Sequence, residues 1–167
     1  RGFFFFFDAN ADRVAEGLRV IGDITRFILN REDLAQEWRE IRGAVWGILG
    51  SAPALQRKAL QARDSGGDVG RDFKAARHQN ILTLARSNIH RAQESLRVLE
   101  ESFRGLDADL VPKVSRLRYR CYELEPPTMA ALEEWSHMNK LNFHLYVVLG
   151  EEFSQGRDFM EVSQKAI

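Results

Sequence analysis

From Asp8 to Leu29 the apolar side chains Val14, Leu18, Ile21 and Ile28 recur at three- and four-residue steps, with Thr25 in the same register. That spacing predicts an amphipathic helix, and Asp8 stands where its N-cap is expected. A second helix is predicted over Arg31 to Leu49, ending near Gly50 and Pro53, and a short third over Ala54 to Ala62. No glycine or proline interrupts the helical pattern from Phe73 to Arg104, which predicts one long helix stopping at Gly105. "DADLVPKVSRLRYRCYELE", from Asp107, supplies a fifth; Pro126 and Pro127 close it, because proline has no N–H for the helix ladder. Ahead of these elements, Phe3 to Phe7 reads as a buried extended segment.

Near the end the pattern changes. "NFHLYVVLG", from Asn142, is a short run of the kind a buried strand shows, and "GRDFMEVSQKAI", from Gly156, reads as a helix start. A lone strand needs partners, so this segment is expected to pair with another chain or to open a βα unit. The fold class expected is therefore all-α over residues 1–127, followed by a linker over 128–140 and a βα fragment over 141–167.

The helical part contains a repeat. "NADRVAEGLRVIGD", from Asn10, returns as "NIHRAQESLRVLEE", from Asn88. Asn10, Arg13, Glu16, Leu18, Arg19, Val20 and Arg26 meet identical residues at Asn88, Arg91, Glu94, Leu96, Arg97, Val98 and Arg104, while Ile21 meets Leu99 and Asp23 meets Glu101. This predicts a helical bundle made of two pseudo-symmetric hairpins packed face to face, with equivalent residues converging where they meet. At about 100° per residue, Glu16, Arg19, Asp23 and Arg26 share the polar face, where acid–base pairs three or four apart are ordinary surface pairs. The same rotation sets Asn10 over the apolar stripe and Arg13 at its edge, where polar groups need partners. Asn88 lies too deep in its helix to cap it, so one role that serves both amides is hydrogen bonding across the interior, to protein or to a small molecule.

Composition narrows the function. The 24 basic residues balance 24 acidic ones, against the cationic surface typical of nucleic-acid or anionic-membrane binding. The Phe run is too short to span a bilayer and lacks the flanks of a signal peptide. The lone Cys121 forms no internal disulfide and no zinc-type spacing, which points to the reducing cytoplasm. There is no P-loop, dinucleotide fingerprint or nucleophile elbow, and His78, His90, His137 and His144 show no ligand-like grouping. What remains is the doubled Asn, Arg, Glu, Arg set: amides suited to a heterocycle edge and guanidiniums suited to phosphate. The loop "RDSGGDVGRD" adds Arg63, with Asp64 and Asp68 as carboxylates able to hold Mg²⁺ beside glycine amides that approach an anion. A Gly- and Asp-rich connection is also an ordinary turn.

"DANADRVAEGLRVIGDITRFIL", "ARDSGGDVG", "NIHRAQESLRVLEE" and "LRYRCYELE", in that order from Asp8 to Glu125, resemble the helical hydroxymethylpyrimidine phosphate kinase domain of bacterial thiamine synthesis, which is often fused in front of thiamine phosphate synthase. The C-terminal segment looks like the opening strand and helix of the synthase barrel. The resemblance implies ATP-dependent phosphorylation of 4-amino-5-hydroxymethyl-2-methylpyrimidine phosphate to its diphosphate, with ATP and Mg²⁺ required and a synthase domain as partner in cis or in trans. The alternative is a non-catalytic helical module that dimerises or docks onto a synthase barrel, and the orphan strand and the Phe run allow a homodimer. On the catalytic reading, Arg13, Arg91, Arg19 and Arg97 hold phosphates. Asn10 or Asn88, with Glu16 or Glu94, reads the aminopyrimidine edge; Arg63 assists substrate binding, and Asp64 and Asp68 take the metal. The acceptor is a phosphate monoester with a second pKa of about 6, so it arrives largely ionised and needs no strong base; the task is to bring two polyanions together. The chain departs from the family pattern at Gly22, where glutamate is expected, and at Gly43, where histidine is expected.

Overall fold

The computed structural model describes residues 2–64, 66–67 and 78–140, and every regular element among them is helical. In order these are α1 (Gly2–Asp23), a π-helical turn (Ile24–Ile28), α2 (Glu32–Gly50), α3 (Pro53–Ala62), α4 (Ile81–Leu106), a 3₁₀ turn (Ala108–Leu110) and α5 (Val111–Lys140). The chain divides into one unit over residues 1–135 and a second over 136–167, of which only the end of α5 is described. The expected strand and helix over 141–167 lie outside the described residues.

The Phe run is helical rather than extended, because Phe7 falls in register with Ala11, Val14, Leu18 and Ile21 on the buried stripe of α1. Phe7 meets Phe103 of α4 edge-on, with centroids 5.4 Å apart, while Phe3 and Phe6 stay exposed. Asp8 is consequently inside α1 and not its cap. After Asp23 the helix widens into the π turn. The Thr25 hydroxyl donates toward the Ile21 and Gly22 carbonyls, and Asn30, with φ of 51°, ends the turn in the left-handed region that asparagine tolerates.

α2 follows its predicted span and buries Leu34, Trp38, Ile41, Val45 and Leu49. The corresponding stripe on the second hairpin is Leu110, Val114, Leu117 and Cys121, at the same spacing as Leu34, Trp38, Ile41 and Val45. Pro53 opens α3 at a position where a missing N–H costs nothing. α4 begins at Ile81 instead of Phe73: the Thr83 amide donates to the Asn80 side chain (2.9 Å) and the Asn80 amide to the Thr83 hydroxyl (3.2 Å), a reciprocal cap. It passes Gly105 and ends at Leu106.

α1 packs most extensively against α4. The two backbones approach so closely that a Cβ on Gly17 would stand 2.7 Å from the Asn88 carbonyl oxygen. α5 does not stop at Pro126 and Pro127 but runs through them. Each proline removes one ladder bond. Beyond them Thr128, Met129 and Leu132 are buried, and the Trp38 indole N–H donates to the Thr128 hydroxyl at 3.0 Å. Tertiary burial thus continues the helix through residues 128–135, into the segment for which the sequence suggests a linker.

Candidate functional site

The structure separates the residues that the repeat predicts should converge. Asn10 and Asn88 are both buried, and each spends its amide in the same way: Asn10 Nδ2 donates to the Phe6 carbonyl (2.8 Å) and Asn88 Nδ2 to the Leu84 carbonyl (2.9 Å), four residues back in its own helix. The expected hydrogen bond across the interior is replaced by one along each helix, because the i−4 carbonyl of the same helix lies within reach of a short amide side chain. Arg13, Glu16, Arg91 and Glu94 are exposed, and none of them makes an ion pair with a described residue. Arg19 and Arg97 line separate hollows. Arg19 faces one of about 620 Å³ between α1 and α2, and Arg97 a shallower one of about 360 Å³ beside Phe3 and Phe6. The single shared hollow is absent among the described residues.

Arg63 is held within the fold. Its guanidinium bridges Asp8 and Asp12 of α1, both at 2.7 Å, which raises its pKa above the usual arginine value, the Asp8 hydrogen bond being the leading cause. That pairing ties the end of α3 to α1. Asp64 accepts the Gly67 amide at 3.0 Å, a turn-forming contact. Asp68 lies outside the described residues, and no group of three or more metal-ligating side chains occurs among those described.

At the α1–α2 and α4–α5 contacts the tertiary structure builds a charge arrangement that the order of residues alone does not reveal. On the second hairpin Glu100 is buried, 4 % exposed, and its carboxylate is surrounded by Arg118 Nε (3.0 Å), Arg97 Nη1 (3.0 Å) and Arg104 Nη2 (3.7 Å). Arg118 also donates to Tyr122 Oη at 3.1 Å. Its pKa lies above the ordinary arginine value, chiefly through the Tyr122 contact and then Glu100, with burial opposing. Glu101 adds an outer pair with Arg97 at 2.6 Å. The signal was present in the spacing Arg97, Glu100, Glu101, Arg104, which reads equally well as a solvated face.

On the first hairpin the corresponding place is the 620 Å³ hollow. Arg19, Arg26, Arg39 and Arg42 all line it, with Gly22, Asp23, Asn30, Glu32 and Gln36. The π turn delivers Arg26, and α2 delivers Arg39 and Arg42. Asp23 pairs only loosely with Arg19, at 3.6 Å. The Nε of Arg42 is buried and has no hydrogen-bond partner among the described residues. A cavity with four guanidiniums and two carboxylates on its wall is chemically an anion receptor.

Fold and hollow together define a duplicated-hairpin, all-α domain that presents arginines to a cavity. Residues 6–127 match the ThiD2 family, the helical N-terminal domain of thiamine biosynthesis proteins, and the chain belongs to that family. Among its relatives, the thiamine-phosphate synthase of Parasynechococcus marenigrum (strain WH8102) is 34% identical over 137 residues, covering 80% of this chain and 38% of the relative. That of Synechococcus sp. (strain CC9311) is 38% identical over 121 residues, covering 71% and 33%. That of Synechocystis sp. (strain ATCC 27184 / PCC 6803 / Kazusa) is 36% identical over 121 residues, covering 71% and 34%. The chain thus spans about a third of the length of these curated relatives. No solved structure matches it. No helix among the described residues is long and apolar enough to cross a membrane.

Proposed function

We propose that this chain, in the cytoplasm, transfers a phosphoryl group from ATP to 4-amino-5-hydroxymethyl-2-methylpyrimidine phosphate, giving the diphosphate used in thiamine biosynthesis. Its support is membership of a thiamine-biosynthesis family together with one observation, the arginine-lined hollow between α1 and α2. Phosphoryl transfer between two polyanions is mainly a matter of positioning and charge neutralisation. Arg19 and Arg26 from one side and Arg39 from α2 line it with positive charge. Arg13 and Arg91, exposed at matching places on α1 and α4, are available to a second phosphate-bearing ligand. Mg²⁺ enters as the ion carried by ATP.

The separation of Arg19 from Arg97 favours a second reading, a helical module that docks onto a thiamine phosphate synthase domain without chemistry of its own. One assay separates the two. The full chain is mixed with Mg²⁺, ATP and the pyrimidine monophosphate, and ADP and the diphosphate are quantified together. Stoichiometric formation of both supports the kinase; neither product, from protein shown to be folded, leaves the docking module.

A further inference from the structure

The two halves of the molecule serve as each other's control. Gly22 occupies the place in α1 that Glu100 occupies in α4, and Arg19 and Arg26 correspond to Arg97 and Arg104. Arg42 follows Ile41 on the buried stripe of α2 just as Arg118 follows Leu117 on α5, and those stripes share one spacing. In the second half, Arg118 Nε donates to the Glu100 carboxylate at 3.0 Å. In the first half Gly22 supplies no carboxylate at the matching place, Asp23 and Glu32 of the same hollow do not accept the equivalent bond, and Arg42 Nε is buried without a partner among the described residues.

A buried, charged N–H left without an acceptor is strongly disfavoured, so an orphan of this kind implies a group that completes it. Neither conformation nor crowding demands glycine at position 22. A Cβ built there meets nothing within 4 Å, and a glycine within a helix destabilises it relative to alanine. What the missing side chain leaves is space and uncompensated charge.

We infer that the Gly22 hollow is a binding site for a small organic phosphate, whose anionic end takes the position that the Glu100 carboxylate holds in the other half and accepts the Arg42 Nε hydrogen bond. Phosphate is favoured over carboxylate by charge and size. In the second half two carboxylates, Glu100 and Glu101, serve three guanidiniums, an excess of one positive charge, whereas this hollow carries four guanidiniums against Asp23 and Glu32, an excess of two, and about 620 Å³ leaves room for the organic part of the ligand beyond its anionic end. Arginine suits this role because its planar fork can donate two parallel bonds to phosphate oxygens. This deepens the phosphoryl-transfer reading and rests on it for the role of the hollow, while the repeat and the orphaned atom fix where the anion sits.

The test uses the full chain and inorganic phosphate as probe, with acetate and chloride matched in ionic strength. Arginine side-chain proton–nitrogen correlations report Arg42 and Arg118 directly. Saturable movement of the Arg42 Nε–H resonance by phosphate is expected, with Arg118 unmoved and acetate at least about tenfold weaker. Gly22→Glu should abolish the response and bring the Arg42 resonance towards that of Arg118. Should that variant fold poorly, Arg42→Met, followed by calorimetric titration with phosphate, must lose binding by at least about tenfold. Equal movement of Arg42 and Arg118, no more effect from phosphate than from chloride, acetate binding as tight as phosphate, or undiminished phosphate binding in either variant would each overturn the assignment. ADP formation plays no part in this readout, so its failure and that of the kinase reading are distinguishable.

Discussion

Cys121 illustrates how far a single residue can be read before the chain is folded. Alone in the sequence, it offers neither a disulfide nor a zinc-type spacing, and it is fully buried on α5 among apolar neighbours. Burial pushes its thiol pKa up to about 12, with the nearby Arg120 charge pulling weakly the other way. The unfolded thiol, at 9.0, loses its proton first. Cys121 therefore contributes nothing adverse below about 9, and the fold weakens as pH rises from there towards 12. We expect iodoacetamide at pH 8 to leave the native chain unmodified for hours and to alkylate one thiol in urea, as mass spectrometry would report; rapid native labelling would contradict the burial. The asparagines teach the complementary lesson. The apolar register makes their burial legible, but not the acceptor of each amide, because spacing along the chain does not say whether a buried amide reaches across the interior or back to the i−4 carbonyl of its own helix.

Among the elements, the α1–α4 seam and the interior of α2 make opposite use of glycine. Gly17→Ala would drive its Cβ to 2.7 Å from the Asn88 carbonyl and 3.4 Å from Ala92, so the helices must part. Overpacking of this kind costs about 1–3 kcal/mol. Gly43→Ala in α2 meets nothing within 4 Å and removes backbone freedom from the unfolded chain, which should stabilise by about 0.5–1 kcal/mol. Urea denaturation of both variants, read at the shift in midpoint, checks the sign of each. Periodicity located α2 and α3 to within a residue at either end and the repeat that pairs α1 with α4. It misplaced the start of α1 because five consecutive phenylalanines have no period, and only packing selects Phe7 against Phe103 as the buried one.

Across the whole molecule, α5 shows a local rule being overridden. Pro126 and Pro127 should end a helix, since each deletes a hydrogen bond and crowds the preceding turn. The Trp38–Thr128 bond ties the later turns to α2, and together with the burial of Met129 and Leu132 in the core it offsets that loss. Thr128→Val keeps the volume but leaves the buried Trp38 indole N–H without its acceptor, at a cost of about 1–3 kcal/mol. Equilibrium unfolding followed by tryptophan fluorescence should record the loss; an unchanged midpoint would show that the bond contributes nothing net.

The sequence by itself determined the all-α class, the helical repeat and the family, because each depends on residue order and on spacing along one chain. It also placed the first and second copies of the arginines in register. Only the tertiary structure decided that Arg19 and Arg97 line separate hollows, that Glu100 is enclosed by Arg97, Arg104 and Arg118 while Gly22 brings no carboxylate to the matching place, and that Arg42 and Arg118 reach those two places from α2 and α5. The reason is physical. Helical periodicity sets which face a charge occupies, but the charges that meet it across the gap come from residues distant in the chain, and only packing brings them within hydrogen-bonding distance.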